Sequence, residues 1–521
     1  MVEDSPMPRA LAGTLAAVVV IAPMAVLVAK GQQIDSSGDR PPHVQLTRDE
    51  DFERTRRLLG LSGPPPPGAS GSDPATYDES QANPYPNLPD PLRFEDGRRV
   101  TTPEQWQERR AEILELFERE VYGRTPKETP AVRWEVLQTS RGTNGGVAVV
   151  TKELVGRVDN TSYPDLVVNI RASVTTPADA QGPVPVVLSF GATGFGAPAD
   201  PLPNEPEPTT VCQPGGPAAA GRGIPAPAGR GAAAGRGAVA GRGAGGPPAP
   251  QGPTPQQQAL ARGWGYATVM TNSIQADNGQ GLTCGIIGLV NRGQPRDPDD
   301  WGVLAAWAWG ASRVVDYFET DRDVDEGRIA LYGHSRWGKA TLLAAALDPR
   351  IAVPYVSSSG HGGAKLHRRK YGELIENVAD TYYYWMAGNY LKYAGNWDAL
   401  PVDSHQLIAL VAPRPVFLSA GNDPQKNPDG TIATRVDDQG RTVVAQANDA
   451  WIDPRGTFMA AVAASPVYEL LGRRGIETAD FPPLDTKLIA GDIGFHQHPG
   501  GHVSGPAWET FYTFAAKYFE K

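Results

Sequence analysis

The chain has 521 residues, enough for one large catalytic domain or two ordinary ones, and its 40% hydrophobic content supplies a core. It carries 58 acidic and 48 basic residues, a net charge of −10, which excludes the broad basic face that a nucleic-acid partner needs while leaving room for a small positive pocket. The only cysteines are Cys212 and Cys284, with no CxxC and no Cys/His cluster, so a structural zinc is not expected. The two form either one disulfide or two unrelated thiols.

In chain order, Arg9 precedes an alanine- and valine-rich run from Ala10 to Ala29, closed by Lys30. Residues 1–31 therefore read as an export signal, long enough to be kept as a membrane anchor. Residues 32–85 are polar and proline-rich, including Pro64 to Pro67, and predict a disordered tether to a catalytic domain over 86–521. Thr102-Pro103-Glu104-Gln105 is a capping box that opens an amphipathic helix to about Tyr122, stopped at Gly123. Strand-like runs follow at 132–138, 146–155, 165–170 and 184–190, the last leading into the glycine-rich stretch Gly191 to Gly196.

Residues 201–258 are a low-complexity insertion in which Ala-Gly-Arg-Gly begins at Ala220, Ala228, Ala234 and Ala240; without apolar periodicity it buries no face and reads as a disordered spacer. Beyond it, 266–270 reads as a strand, 301–318 as a helix, 328–332 as a strand and 337–347 as a helix. Strands at 415–420 and 487–490 and a helix at 507–518 complete the series, and a tyrosine-rich stretch from Tyr371 to Leu400 is expected to cap the site. Alternation of this kind predicts an α/β fold: a mostly parallel sheet with helices on both faces, a three-layer sandwich.

The segment Arg328 to Ala340 runs an apolar strand into Gly333-His334-Ser335, with a helix starting at once. A sharp strand-to-helix bend of this kind pushes a serine hydroxyl out at the sheet edge, beside backbone N–H groups and the positive end of a helix. The usual spacing is G-x-S-x-G; here the second glycine, Gly338, falls one place later, after Trp337. Ser335 is the predicted nucleophile, and a plain serine N-cap is the alternative.

A serine hydroxyl needs a base, which on this fold follows the last strand and precedes the C-terminal helix. His496, His498 and His502 stand there, and His502, after Gly500-Gly501, is the first choice, with His498 second and His496 third. The orienting acid belongs after the 415–420 strand, where the residues alone weigh Asp423 and Asp449 equally.

Gly333-His334-Ser335-Arg336-Trp337-Gly338-Lys339-Ala340 resembles the G-[HC]-S-R-x-G-K-[AG] signature of the glucuronoyl esterases, carbohydrate esterase family 15. Ser359 to Ala364, Arg368 to Glu373, Leu400 to His405, Asp449 to Gly456 and Gly501-His502 extend the likeness over roughly Pro89 to the end, outside the insertion. The resemblance implies the α/β-hydrolase fold, Ser335 as nucleophile, His502 as base and Arg336 as oxyanion stabiliser. It implies that Lys339 and Glu373 hold the sugar hydroxyls and that Trp451 packs on the ring. Many members place a glutamate where this chain has Ser358; a second group uses an aspartate after the seventh strand, which matches Asp449 and favours it over Asp423. The implied reaction is hydrolysis of (4-O-methyl-)glucuronic acid esters in glucuronoxylan–lignin linkages by a monomer with no cofactor or metal. The alternatives are an acetyl xylan esterase or a polysaccharide-binding protein with a decayed site.

Overall fold

The computed structural model describes residues 40–62, 77–84, 87–191, 252–421, 431, 434–436, 442–444 and 449–520. Its strands are β1 (Val132–Asn144), β2 (Val147–Val158), β3 (Asn169–Pro177), β4 (Val184–Gly191), β5 (Gly265–Met270), β6 (Val324–His334), β7 (Ile351–Ser357), β8 (Val416–Ala420), β9 (Thr434–Val436), β10 (Thr442–Val444), β11 (Lys487–Leu488) and β12 (Ile493–Gln497). The helices are α1 (Arg48–Leu58), α2 (Pro103–Phe117), α3 (Pro255–Leu260), α4 (Gly285–Val290), α5 (Val303–Phe318), α6 (Arg336–Leu347), α7 (Ile375–Thr381), α8 (Ser404–Ala409), α9 (Pro454–Leu470) and α10 (Trp508–Phe519).

Ten strands form one sheet in the order β1-β2-β3-β5-β4-β6-β7-β8-β12-β11, and β9 pairs with β10 separately. From β5 to β12 the pairings are parallel, while β1, β2, β3 and β11 join antiparallel. The parallel strands are buried on both faces. Val186, Leu188, Ile329, Leu331, Val416 and Leu418 pack into one apolar cluster, and the alternate residues Val187, Ala330 and Phe417 into another with Trp264 and the aromatic face of α10. That two-sided cover is the predicted three-layer arrangement.

Several boundaries differ from the sequence reading. The tether expected over 32–85 is ordered in part. Thr47 and Glu50 close a capping box on α1, Phe52 is buried with its ring 5.0 Å from that of Tyr383, and Tyr77 packs 5.6 Å from Tyr371. Each short polar segment is docked by an aromatic anchor together with polar contacts to distant residues, Arg54 to the Arg296 carbonyl in one and Glu79 to Arg369 in the other, and composition registers neither. The insertion ends earlier than residue 258, because Thr254 and Gln257 cap α3. The third strand is not at 165–170; it is β3, whose Arg171, Ser173 and Thr175 alternate with Ala172, Val174 and Thr176 and so hide its apolar face.

The run at 487–490 supplies only the antiparallel edge strand β11, and the last parallel strand is β12. Sequence reading also passed over β7 and α9. The helix opened by Thr102 forms as expected, except that the Gln105 side chain reaches back to the Thr101 N–H rather than to that of Thr102. Cys284 is disulfide-bonded, and Cys212, the chain's other cysteine, lies outside the described residues. So do the 1–31 segment, the stretch from Ala192 to Gly196 and Asp423. Among the described residues no helix is long and apolar enough to cross a membrane.

Candidate active site

β6 ends at His334, and Ser335 takes φ 60° and ψ −127° before α6 begins at Arg336. A side chain rarely adopts such a backbone conformation unless its surroundings enforce it. Here the Ser335 N–H donates to the Ser357 carbonyl at 2.9 Å, tying the bend to the end of β7. The two elbow glycines make the turn fit. A Cβ on Gly333 would lie 2.2 Å from the Trp337 carbonyl oxygen, and one on Gly338 would lie 2.8 Å from that of Ser357. The glycine that sequence spacing placed one position late thus meets β7 directly.

The imidazole and its acid come from other segments. His502 Nδ1 and Asp449 Oδ1 are 2.6 Å apart, with Asp449 fully buried and the His502 side chain one-third exposed. The other Asp449 oxygen accepts from the Ser358 hydroxyl and, at 2.5 Å, from the Gly421 N–H at the end of β8. Burial pushes the Asp449 carboxyl up, but the His502, Ser358 and Gly421 hydrogen bonds outweigh it and hold the group below its ordinary range. The His502 ring packs 4.5 Å from the ring of His334, the residue before Ser335. Just beyond it, the Ser504 hydroxyl meets Tyr332 of β6 at 2.6 Å, which pins the histidine loop to the strand that leads into Ser335. The other candidate bases face elsewhere: His496 bonds Asp485 at 2.9 Å, and His498 Nδ1 accepts from the Gly500 N–H at 3.1 Å.

Two cations project from the first turn of α6. The Arg336 guanidinium bonds the Asp277 carboxylate and lies 5.1 Å above the Trp385 ring and 5.9 Å from that of Tyr382. Asp277 also accepts from Trp385 Nε1 at 2.7 Å. Lys339 is buried, donates to the His361 carbonyl and meets Glu373 at 2.7 Å; Glu373 in turn accepts from the His361 N–H at 2.9 Å. Burial lowers the proton affinity of Lys339 below the ordinary ammonium range, and the Glu373 carboxylate offsets this only in part. The Glu373 N–H donates to the Trp451 carbonyl at 2.6 Å, which joins the half-buried Trp451 to the same corner. Among the described residues no group of His, Cys, Asp and Glu is arranged to hold a metal ion.

The chain is similar to known proteins in sequence and in fold. Residues 296–443 match the model of the fungal glucuronyl esterases. A carbohydrate esterase from an unknown prokaryotic organism is 32% identical over 468 residues, spanning 84% of this chain and 91% of that relative. The structure of a family 15 glucuronoyl esterase from Teredinibacter turnerae superposes with a TM-score of 0.71 at 32% identity, covering 90% of this chain and 99% of that one. The chain belongs to carbohydrate esterase family 15. A 4-O-methyl-glucuronoyl methylesterase of Schizophyllum commune is more distant, at 26% identity over 397 residues and 74% of each chain.

For this family 15 chain the residues singled out from sequence fall into two groups that meet at the elbow. Asp449 and His502 form one, beside the His334 that precedes Ser335, and Arg336, Lys339, Glu373 and Trp451 lie in the other. Sequence reasoning treated Ser358 as a vacancy where relatives carry glutamate; the structure gives its hydroxyl to Asp449. It also missed Asp277, in the loop after β5, which had no motif to mark it.

Proposed function

We propose that the chain is an exported esterase that hydrolyses esters of glucuronic acid or its 4-O-methyl ether in glucuronoxylan, releasing the alcohol through which the uronate is joined to lignin. The observation that carries this reading is the Asp449–His502 hydrogen bond set beside the Ser335 elbow. Because Nδ1 of His502 is committed to Asp449, Nε2 is the nitrogen left to take the serine proton. Ser335 Oγ attacks the ester carbonyl, and negative charge builds on the carbonyl oxygen. The Arg336 guanidinium and the backbone N–H at the start of α6 offset that charge. Collapse of the tetrahedral intermediate expels the alcohol, which takes the proton from His502. Water, deprotonated by His502, then cleaves the acyl-enzyme and frees the uronate carboxylate.

On this reading the sugar hydroxyls fall to Lys339 and Glu373, through the small part of that pair left exposed, and stacking on the ring to the half-buried Trp451, whose carbonyl accepts from the Glu373 N–H. The 10–29 run is the proposed export signal. Ser335→Ala is expected to abolish turnover of a benzyl or methyl glucuronate ester while the variant still binds it. Hydrolysis retained by that variant would remove Ser335 from the reaction.

A further inference from the structure

Hydrolysis converts a neutral ester into a carboxylate anion at the same carbon. A pocket whose cations were free would then hold product more tightly than substrate, and binding energy spent there slows turnover. Each of the two cations on the first turn of α6 carries its own carboxylate, Asp277 for Arg336 and Glu373 for Lys339. The two pairs differ in surroundings. Lys339 and Glu373 side chains are 3% and 6% exposed, whereas Arg336 and Asp277 are 29% and 22% exposed.

An ion pair that open to solvent adds little to folding stability, so the consequence of Asp277 lies mainly in the field and orientation it imposes on the guanidinium. Both of its oxygens are committed, Oδ2 to Arg336 and Oδ1 to Trp385 Nε1 at 2.7 Å, while Tyr384 donates its hydroxyl to the Asp277 carbonyl at 3.4 Å. The indole that fixes the carboxylate is the same ring the guanidinium lies over. An arginine stacked on the indole and held at Nη1 by a carboxylate that is itself fixed presents its remaining N–H groups in a set direction.

Resting on the glucuronate-ester reading above, we infer that Asp277 is a positioning residue for Arg336 and a counter-charge against the product: it holds the guanidinium against Trp385 for the transient oxyanion and weakens retention of the uronate carboxylate. The oxyanion forms close to the guanidinium and is short-lived. Asp277 is a like charge to both anions; the oxyanion gains in return a guanidinium already fixed in direction, whereas the product carboxylate keeps the repulsion until it leaves.

The test measures one ratio. In a Ser335→Ala background, methyl glucuronate and free glucuronate are titrated calorimetrically into the full chain, with and without Asp277→Asn. The ratio of dissociation constants, acid over ester, is expected to fall about tenfold in the asparagine variant. Asp277→Glu, which keeps the charge, is expected to hold the parent ratio. Because both ligands meet the same preparation, a partial loss of folded protein leaves the ratio unmoved, and Asp277→Ser serves if the amide variant does not fold. A ratio unchanged by loss of the charge overturns the inference while leaving the esterase reading in place. Absence of ester turnover by the unmodified chain defeats that reading, and the inference falls with it.

Discussion

Arg336 and Lys339 stand three residues apart, so a single helix delivers both cations of the site. The acid–base pair is gathered from residues 449 and 502, and the acid is braced by Ser358 and Gly421 on two further segments. Burial divides the site differently. Asp449 and the Lys339–Glu373 pair are sealed, whereas His502, Arg336 and Asp277 keep roughly a quarter to a third of their side-chain surface. In the proposed reaction the groups that exchange a proton or meet developing charge are the accessible ones, and each is anchored by a partner, sealed or half-open, that fixes its direction. Only in the Asp449–His502 pair do rigidity and exposure fall to different members; Arg336 and Asp277 are both half-exposed, and Lys339 and Glu373 are both sealed.

The largest effect that separates these roles is expected at the sealed acid. Asp449→Asn leaves the shape of the site but takes away the negative charge that holds the His502 tautomer and stabilises the imidazolium. The value of kcat on a glucuronate ester is expected to fall by about 10³- to 10⁴-fold, with KM changed far less. Steady-state kinetics on the purified variant decide it; a loss under tenfold would mean that another carboxylate orients the base.

A smaller effect distinguishes the two ion pairs. Glu373→Gln leaves the Lys339 ammonium buried without a counter-charge, which is expected to cost about 3–5 kcal/mol of folding stability. Asp277→Asn breaks the half-exposed pair and is expected to cost under about 1 kcal/mol. Urea unfolding of both variants beside the parent gives the comparison directly, and equal losses would contradict the division between sealed and open pairs.

How much of this was readable in the chain follows the same division. The elbow is contiguous, so Gly333, Ser335 and Gly338 announced it, and the early part of the parallel sheet was visible in apolar runs such as those of β4 and β6. His502 could be chosen because a Gly-Gly pair and a following helix mark its loop. Asp449 could not be separated from Asp423 by residue physics, since the acid is defined by what folds onto it: Ser358 and Gly421 from the ends of β7 and β8. Asp277 was illegible for the same reason, with partners 59 and 108 residues away. Contacts of that span leave no local pattern. β7 escaped notice because Pro354 interrupts its apolar run, and α1 because a single buried aromatic, Phe52, and polar contacts to distant segments, such as Arg54 to the Arg296 carbonyl and Asp51 to Tyr383, dock an otherwise polar helix.

The smallest expected effect concerns acid. His334 beside the acid–base pair is pushed down to about 3, chiefly by burial and then by nearby His502, while burial pushes His367 and His498 down to about 4. All three lie below the ordinary histidine value, so in the folded chain they remain neutral where the unfolded chain would take up protons. Folding stability must then be present near neutral pH and be lost as pH falls from about 6.5 toward 4, by up to about 1.4 kcal/mol per pH unit for each histidine. His367 lies on the cation side, its ring 4.6 Å from that of His361, whose carbonyl holds Lys339. His361, His405 and His496 are shifted in the same direction by burial, so His367→Phe removes one of six such protons, without touching the acid–base pair. It is expected to flatten the dependence of the unfolding free energy on pH by about one proton between pH 6 and pH 4.5. Denaturant titrations at three pH values across that range measure the slope, and identical slopes for variant and parent would show that the His367 ring takes up its proton in the folded chain as readily as in the unfolded one.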